Sequence, residues 1–200
     1  MDTGRRTGRP RGFDVDEALD RAVRVFWAKG YEGASLTDLT TAMGINRTSM
    51  YAAFGNKDEL FRKALDRYTG TQAGYVRRAL EEPTSAGVAR AFLKGSVRAS
   101  TTPGEPTGCL GVQGALAVGD DARSACEVLA AWRDEGCAWL RQRFERAVAE
   151  GDLPAGSDPA LLARYLMTVA NGIAVQASGG ADRATLDLVA DVALRSWPPA

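Results

Sequence analysis

The sequence predicts an all-α fold, with a three-helix N-terminal domain that contains a helix-turn-helix and a larger C-terminal helical domain. Apolar residues recur at helical spacing along most of the chain. No segment alternates polar with β-branched residues for long enough to form a strand. Capping residues and glycines recur at the ends of the apolar stripes. Nearly every regular element is therefore expected to be an amphipathic helix.

The first helix is predicted to begin at Asp14, with Glu17 as its capping-box partner, and to end at Gly30. The apolar residues of its inward face are Leu19, Ala22, Val23 and Phe26.

Two short helices follow, and a tight turn separates them. Ser35 caps the first of them, Gly44 ends it, and Asn46 caps the second. Their apolar residues are Leu36, Leu39 and Met43 and, on the second helix, Met50, Tyr51 and Phe54. A short helix, a turn and a second short helix form the arrangement that places the second helix in a DNA major groove.

A fourth helix is predicted from Asn56, with Glu59 at capping-box spacing, and we expect it to continue without a break through Tyr75 and Leu80. Helices are also predicted over residues 85–99, for about thirty residues from Asp120, from Asp158 onward and over residues 182–197. A loop rich in proline and glycine occupies residues 101–108.

A basic arm precedes the first helix and contains Arg5, Arg6, Arg9 and Arg11. Such a segment is typical of a solvated tail, but next to a helix-turn-helix it favours contact with DNA. The net charge of the whole chain is zero, so overall charge is a weak indicator of nucleic-acid binding.

Composition argues against several classes of protein. The chain has no histidine and only three separate cysteines, so we expect no metal site, no disulfide framework and no His-dependent catalytic pair. No cofactor and no enzymatic activity are expected. No apolar run reaches the length of a membrane span and no signal peptide is present, so we expect a cytoplasmic protein without a membrane partner.

The segment through Tyr68 resembles the N-terminal DNA-binding domain of the TetR family of transcriptional regulators. The matching elements are Phe26-x-x-Lys29-Gly30-Tyr31, Ser35-Leu36-Thr37-Asp38-Leu39, Gly44-Ile45-Asn46-Arg47-Thr48-Ser49-Met50-Tyr51 and Phe54-x-x-Lys57-Asp58-Glu59-Leu60. Beyond this third of the chain, the match is limited to the helix count and a Gly108-Cys109-Leu110 element. The chain departs from the family at Thr48, where glycine is frequent, and at Ala52-Ala53, where an aromatic residue and a phosphate-contacting histidine are frequent.

The resemblance implies a homodimer that binds a double-stranded DNA operator and responds to a small-molecule effector, usually as a repressor. The implied organisation is a basic arm (residues 1–13), a DNA-binding domain (residues 14–56) and a domain for ligand binding and dimerisation (residues 57–200).

Candidate DNA contacts come from helix termini and the start of the recognition helix. Arg47 has the geometry to read guanine, and hydroxyls and lysines suit phosphate. The candidates are Arg9, Arg11, Ser35, Thr37, Asn46, Arg47, Thr48, Ser49, Tyr51 and Lys57.

Candidate ligand contacts are aromatic residues with a few polar anchors, although aromatic residues on amphipathic helices are also ordinary core residues. They are Tyr75, Phe92, Cys109, Gln113, Trp132, Trp139 and Asn171. We expect a small, largely apolar effector. An alternative is a thiol switch at Cys109 that senses oxidants or electrophiles.

Candidate dimer contacts form the broad apolar faces of the last two helices, which one helical layer does not cover. They are Leu162, Tyr165, Leu166, Val169, Ile173, Leu186, Val189 and Val192. A ligand-independent dimer that organises DNA is a further alternative to a regulator.

Overall fold

The computed structural model describes residues 12–114, 119, 122–195 and 197–198, and every regular element in that part is helical, which confirms the all-α prediction. A single turn of 3-10 helix, Gln72–Gly74, lies between the fourth and fifth α-helices. The α-helices are α1 (Val15–Gly33), α2 (Leu36–Met43), α3 (Arg47–Phe54), α4 (Lys57–Gly70), α5 (Tyr75–Leu80), α6 (Ser85–Ser100), α7 (Leu110–Gln113), α8 (Arg123–Ala149), α9 (Pro159–Ser178) and α10 (Arg183–Arg195).

Local capping chemistry sets the starts of the first four helices, as predicted. The side chains of Asp14, Ser35, Asn46 and Asn56 each accept a hydrogen bond from the backbone N–H three residues further on. Gly44 ends α2 in the left-handed region, with φ 69°. That conformation turns the chain sharply into α3 and completes the helix-turn-helix.

The prediction of one long fourth helix is wrong, because α4 ends at Gly70. Thr71 leaves the helical region, with φ −111° and ψ −89°, and its hydroxyl donates back to the carbonyl oxygen of Arg67. Glycine and threonine both favour such a break over continued helix. The chain resumes as α5, where the ring of Tyr75 packs against Gly95 of α6 so closely that a Cβ at Gly95 would lie 2.4 Å from Tyr75 Cδ2.

Two apolar cores organise the molecule. The first contains the inward faces of α1 to α4 together with Leu110, Ala125 and Leu129 from α7 and α8. The second lies among α5, α6, α8, α9 and α10. The N-terminal helices are therefore packed, through α1 and α4, on α7 and on the first half of α8. The boundary proposed between residues 56 and 57 stays a prediction. Within the described ranges, no helix is both long and apolar enough to cross a bilayer.

Candidate nucleic-acid interface and internal cavity

The recognition helix α3 has one buried side and one free side. Met50 and Phe54 are buried in the first core. Arg47, Thr48 and Tyr51 are exposed, and 47 % of Tyr51 is accessible. Ser49 is half-buried beside them. The helix therefore presents a guanidinium, a hydroxyl and a phenol outward, where base edges and phosphates would be met.

The start of α2 is joined to this free side through Arg47. Its guanidinium Nη2 donates to Thr37 Oγ1 over 3.2 Å. Both groups remain exposed. The two predicted contact residues therefore lie side by side at the start of their helices.

Two other predicted contacts serve first as helix caps. The Ser35 hydroxyl accepts from the backbone N–H of Asp38 and donates to its carboxylate, 3.0 and 2.7 Å away. Asn46 accepts from the N–H of Ser49. The hydrogen bond from Lys29, with those from Ser35, lowers the pKa of Asp38 to about 2. At the start of α2, the backbone N–H groups rather than the Ser35 hydroxyl are left to face a phosphate. Arg9 and Arg11 lie outside the described residues.

Lys57 is held on an aromatic ring at the start of α4. Its Nζ lies 4.4 Å from the ring centre of Tyr31, and burial lowers the pKa of the ammonium. The Tyr31 hydroxyl donates a short hydrogen bond to the Asp58 carboxylate. Burial, followed by this bond, raises the pKa of Tyr31. The Tyr31 backbone N–H donates to the carbonyl oxygen of Gly114 over 2.8 Å. Tyr31, whose ring contacts Lys57, is therefore also hydrogen-bonded to the residue that follows α7.

The sequence did not predict this connection, because Tyr31 and Gly114 are far apart in the chain. The only local signal was Gly30, whose φ of 69° turns the backbone of α1 before Tyr31.

An internal cavity lies among the ends of α4 and α7 and the helices α5, α6, α8 and α9. Six of the seven predicted ligand contacts line it: Tyr75, Phe92, Cys109, Trp132, Trp139 and Asn171. Its volume is about 40 Å³, which is room for only a few water molecules. The role of the six lining residues as ligand contacts stays a prediction.

Gln113, the seventh candidate, does not line the cavity, so this assignment is corrected. Its side-chain oxygen accepts from the backbone N–H of Cys109 over 2.9 Å. The amide also packs against Gly108, where a Cβ would lie 2.1 Å from Gln113 Oε1. Gln113 therefore stabilises the turn that leads into α7.

Hydrogen bonds connect the cavity wall to the helix that follows the recognition helix. Trp132 Nε1 donates to Thr69 Oγ1, 2.8 Å away in the last turn of α4. The Tyr68 hydroxyl donates to Cys109 Sγ over 3.3 Å. Tyr68 in turn packs edge-on against Trp27 of α1. Burial raises the pKa of the Cys109 thiol, which favours the unreactive protonated form.

Other lining residues carried no sequence signal. Arg77, Val112 and Met167 belong to helical patterns that look like ordinary surface or core. Only the packing of α5, α7 and α9 around the same space brings them together.

The predicted dimer face is corrected in part. Leu162, Leu166, Ile173 and Leu186 are buried within the protomer, in the second core. Tyr165 and Val169 are half-buried against the same core. Packing among α6, α8, α9 and α10 covers these residues, so they have little free surface to offer a partner.

An apolar face nevertheless remains on α9 and α10. Val189 and Val192 are exposed, as expected for an interface, and 55 % of Val192 is accessible. The other exposed members of this outer face, which the sequence did not predict, are Leu161, Val175 and Leu188.

Two family models match the chain over most of its length. Residues 18–64 match the model described as bacterial regulatory proteins, tetR family. Residues 87–192 match the model described as tetracyclin repressor-like, C-terminal domain.

Known proteins agree with these matches. The HTH-type transcriptional repressor ComR from Escherichia coli (strain K12) is 32 % identical over 193 residues, which is 96 % of this chain and 92 % of that protein. A cysteine-mutant form of the TetR family transcriptional regulator CifR, complexed with 26-base-pair double-strand operator DNA, is 43 % identical. Its TM-score is 0.91, over 95 % of this chain and 100 % of that one. A TetR regulator from Rhodococcus sp. RHA1 is also 43 % identical, with a TM-score of 0.62 over 89 % of this chain and 96 % of that one.

Proposed function

Because the chain belongs to the TetR family of DNA-binding transcriptional regulators, and is thus a regulator rather than an enzyme, we propose that it is a ligand-released repressor. It binds a palindromic operator as a homodimer and leaves it when a small molecule enters the internal cavity. The observation that carries the proposal is the free side of α3, where Arg47, Thr48 and Tyr51 are exposed above a buried core. An operator partner would also place the protein in the cytoplasm.

Arg47 is the residue best suited to read sequence. An arginine fork matches the two acceptors of guanine in the major groove, and such a pair discriminates by about 1–3 kcal/mol. Its hydrogen bond to Thr37 holds the guanidinium near the surface of the helix-turn-helix. Tyr51 and Lys57 supply backbone contacts that position the helix without reading bases.

The outer face of α9 and α10 supports dimerisation. Leu161 and Leu188 are 63 % and 67 % exposed, which is unusual for leucines in a chain that buries its core well. A second copy packed on this face by two-fold symmetry would cover both helices at once. The two recognition helices would then meet half-sites about one DNA turn apart, or a multiple of it.

The cavity is too small for an effector in the state that the structure shows. Ligand sites usually enclose about 300–1,000 Å³, whereas this cavity encloses about 40 Å³. An effector must therefore displace side chains of the wall. Trp132 is one of the two tryptophans in that wall, and its displacement would break the hydrogen bond to Thr69.

Two routes lead from the cavity to the DNA-binding residues. One runs from Trp132 and Cys109 to Thr69 and Tyr68 in the last turns of α4. The other runs along α7 from Cys109 to Gly114, and from Gly114 to Tyr31 and Lys57. A displacement of the residues along either route would change the placement of α1 and α4, and with it the spacing of the two recognition helices. An effector releases DNA only if it binds the displaced state more tightly.

Operator release measured by fluorescence anisotropy tests this proposal. Small apolar aromatic compounds should release the protein, and Trp132→Ala should blunt that response while Cys109→Ser keeps it. Release by oxidants or electrophiles alone, abolished by Cys109→Ser, would replace the cavity mechanism with the thiol switch. Protection of DNA that no compound relieves would favour a ligand-independent dimer.

A further inference from the structure

Most polar groups in the cavity wall are already paired with protein. The Thr69 hydroxyl accepts from Trp132 and donates to the carbonyl oxygen of Leu65. The Ser96 hydroxyl donates to the carbonyl oxygen of Ala170 over 3.5 Å. These groups offer little to a ligand, so the deep part of the cavity favours an apolar molecular body.

Arg77 differs from every other residue of the wall. Among the described residues that line the cavity, it alone is charged. It is exposed on α5, and its guanidinium carbon lies 5.9 Å from the ring centre of Trp139. Within the described part of the chain, no ion pair or hydrogen bond is formed by the Arg77 guanidinium.

Asn171 is a further polar residue of this wall. It is half-buried on α9, and its amide has no hydrogen-bond partner among the described residues. Among the described residues of its wall, the cavity therefore combines an apolar interior with a cation and an amide that have no hydrogen-bond or ion-pair partner.

This arrangement matches one chemical class of ligand. We propose, on the basis that the cavity is the effector site, that the effector is an amphipathic carboxylic acid. Its apolar body lies between Phe92 and Trp132, and its carboxylate pairs with Arg77 at the cavity mouth.

The electrostatics support this orientation. A carboxylate placed deeper would be desolvated without a cation, which is strongly unfavourable. At Arg77 it meets a planar guanidinium that stays charged and matches carboxylate geometry with two parallel hydrogen bonds. Stacking near Trp139 limits the freedom of the arginine before the ligand arrives, which lowers the cost of ordering it.

The test compares acids with their neutral amides on the full-length protein. The pairs are phenylacetate and phenylacetamide, hydrocinnamate and hydrocinnamamide, and octanoate and octanamide. Calorimetry gives each Kd and anisotropy gives release from operator DNA. At least one acid should bind about tenfold more tightly than its amide, which corresponds to about 1.4 kcal/mol.

Arg77→Gln should remove that preference by weakening the acid and not the amide. Arg78→Gln is the matched control, because Arg78 is the next residue of α5, is also exposed and does not line the cavity. It should leave the preference intact.

The outcomes separate this inference from the proposed function. If amides bind as well as acids, or if Arg77→Gln leaves the preference unchanged, the carboxylate assignment is wrong while the cavity mechanism stands. If no compound of either kind binds or releases DNA, the cavity mechanism loses its support and the assignment falls with it.

Discussion

Adding one methyl group at Gly111 should imitate the effector. Gly111 lies in α7 beneath Trp132, and a Cβ there would lie 2.1 Å from Trp132 Cζ3 and 2.5 Å from Cε3. Carbon atoms in contact prefer separations of about 3.5–4.0 Å, so the indole must retreat by more than about 1 Å. Its 2.8 Å hydrogen bond to Thr69 cannot survive that displacement.

These contacts set the free-energy cost of Gly111→Ala. Overpacking of this kind costs about 1–3 kcal/mol, and the lost hydrogen bond adds about 1 kcal/mol. If the released conformation avoids the clash, this energy favours it over the operator-bound one. Gly111→Ala should therefore weaken operator binding by at least about tenfold without any ligand.

Anisotropy titration of operator DNA measures this effect. The matched control is Gly136→Ala, because Gly136 also lines the cavity but its Cβ would meet only Met167 Cε at 4.0 Å. In a Trp132→Ala background the clash disappears, so adding Gly111→Ala should cost little more. Wild-type operator affinity in Gly111→Ala, or an equal loss in Gly136→Ala, would refute the role of Trp132 in release.

Three further predictions concern other parts of the molecule. Arg47→Ala should relax sequence preference, whereas Lys57→Ala should weaken binding to all duplexes alike. Arg90→Ala, a change at an exposed arginine of α6, should do neither. Equal behaviour of the three variants in competition titrations would contradict the roles given to Arg47 and Lys57. Leu188→Arg should give monomers that do not bind the operator, because it places unpaired charges at a two-fold interface. The control Ala130→Arg, on the exposed surface of α8, should stay dimeric. Light scattering that reports a dimer for Leu188→Arg would show that the interface lies elsewhere. Asp38, with its pKa lowered from 3.8 to about 2, stabilises the fold fully above its unfolded pKa and loses that contribution as the pH falls towards 2; urea unfolding of wild type and Asp38→Asn should therefore converge over that range, and a constant difference would contradict the prediction.

Local chemistry made the N-terminal helices predictable. Asp14, Ser35, Asn46 and Asn56 cap their helices through atoms only three residues away. Gly44 ends α2 because a left-handed residue is needed there. Such signals are contained within one turn of chain, so no tertiary information is required.

The sequence predictions were wrong where packing between distant segments determines which residues are buried and where a helix ends. Periodicity showed that α9 has a wide apolar face, but it could not show that packing within the protomer buries Leu162 and Ile173 and leaves Leu161 and Val175 exposed. The same apolar periodicity hid the break at Thr71, where a local hydrogen bond and Gly70 interrupt α4. The aromatic candidates line one cavity because their helices all face it. No local sequence pattern distinguished Arg77 from the other surface arginines.

A competition footprint of the purified protein on the DNA upstream of its own gene tests whether the protein is a dimeric, operator-binding repressor. We expect protection of one two-fold symmetric segment, bound far more tightly than random duplex. Binding should also weaken steeply as salt rises, because phosphate contacts release counterions. Equal binding of that segment and of random duplex, or protection without two-fold symmetry, would contradict a dimeric operator-binding repressor.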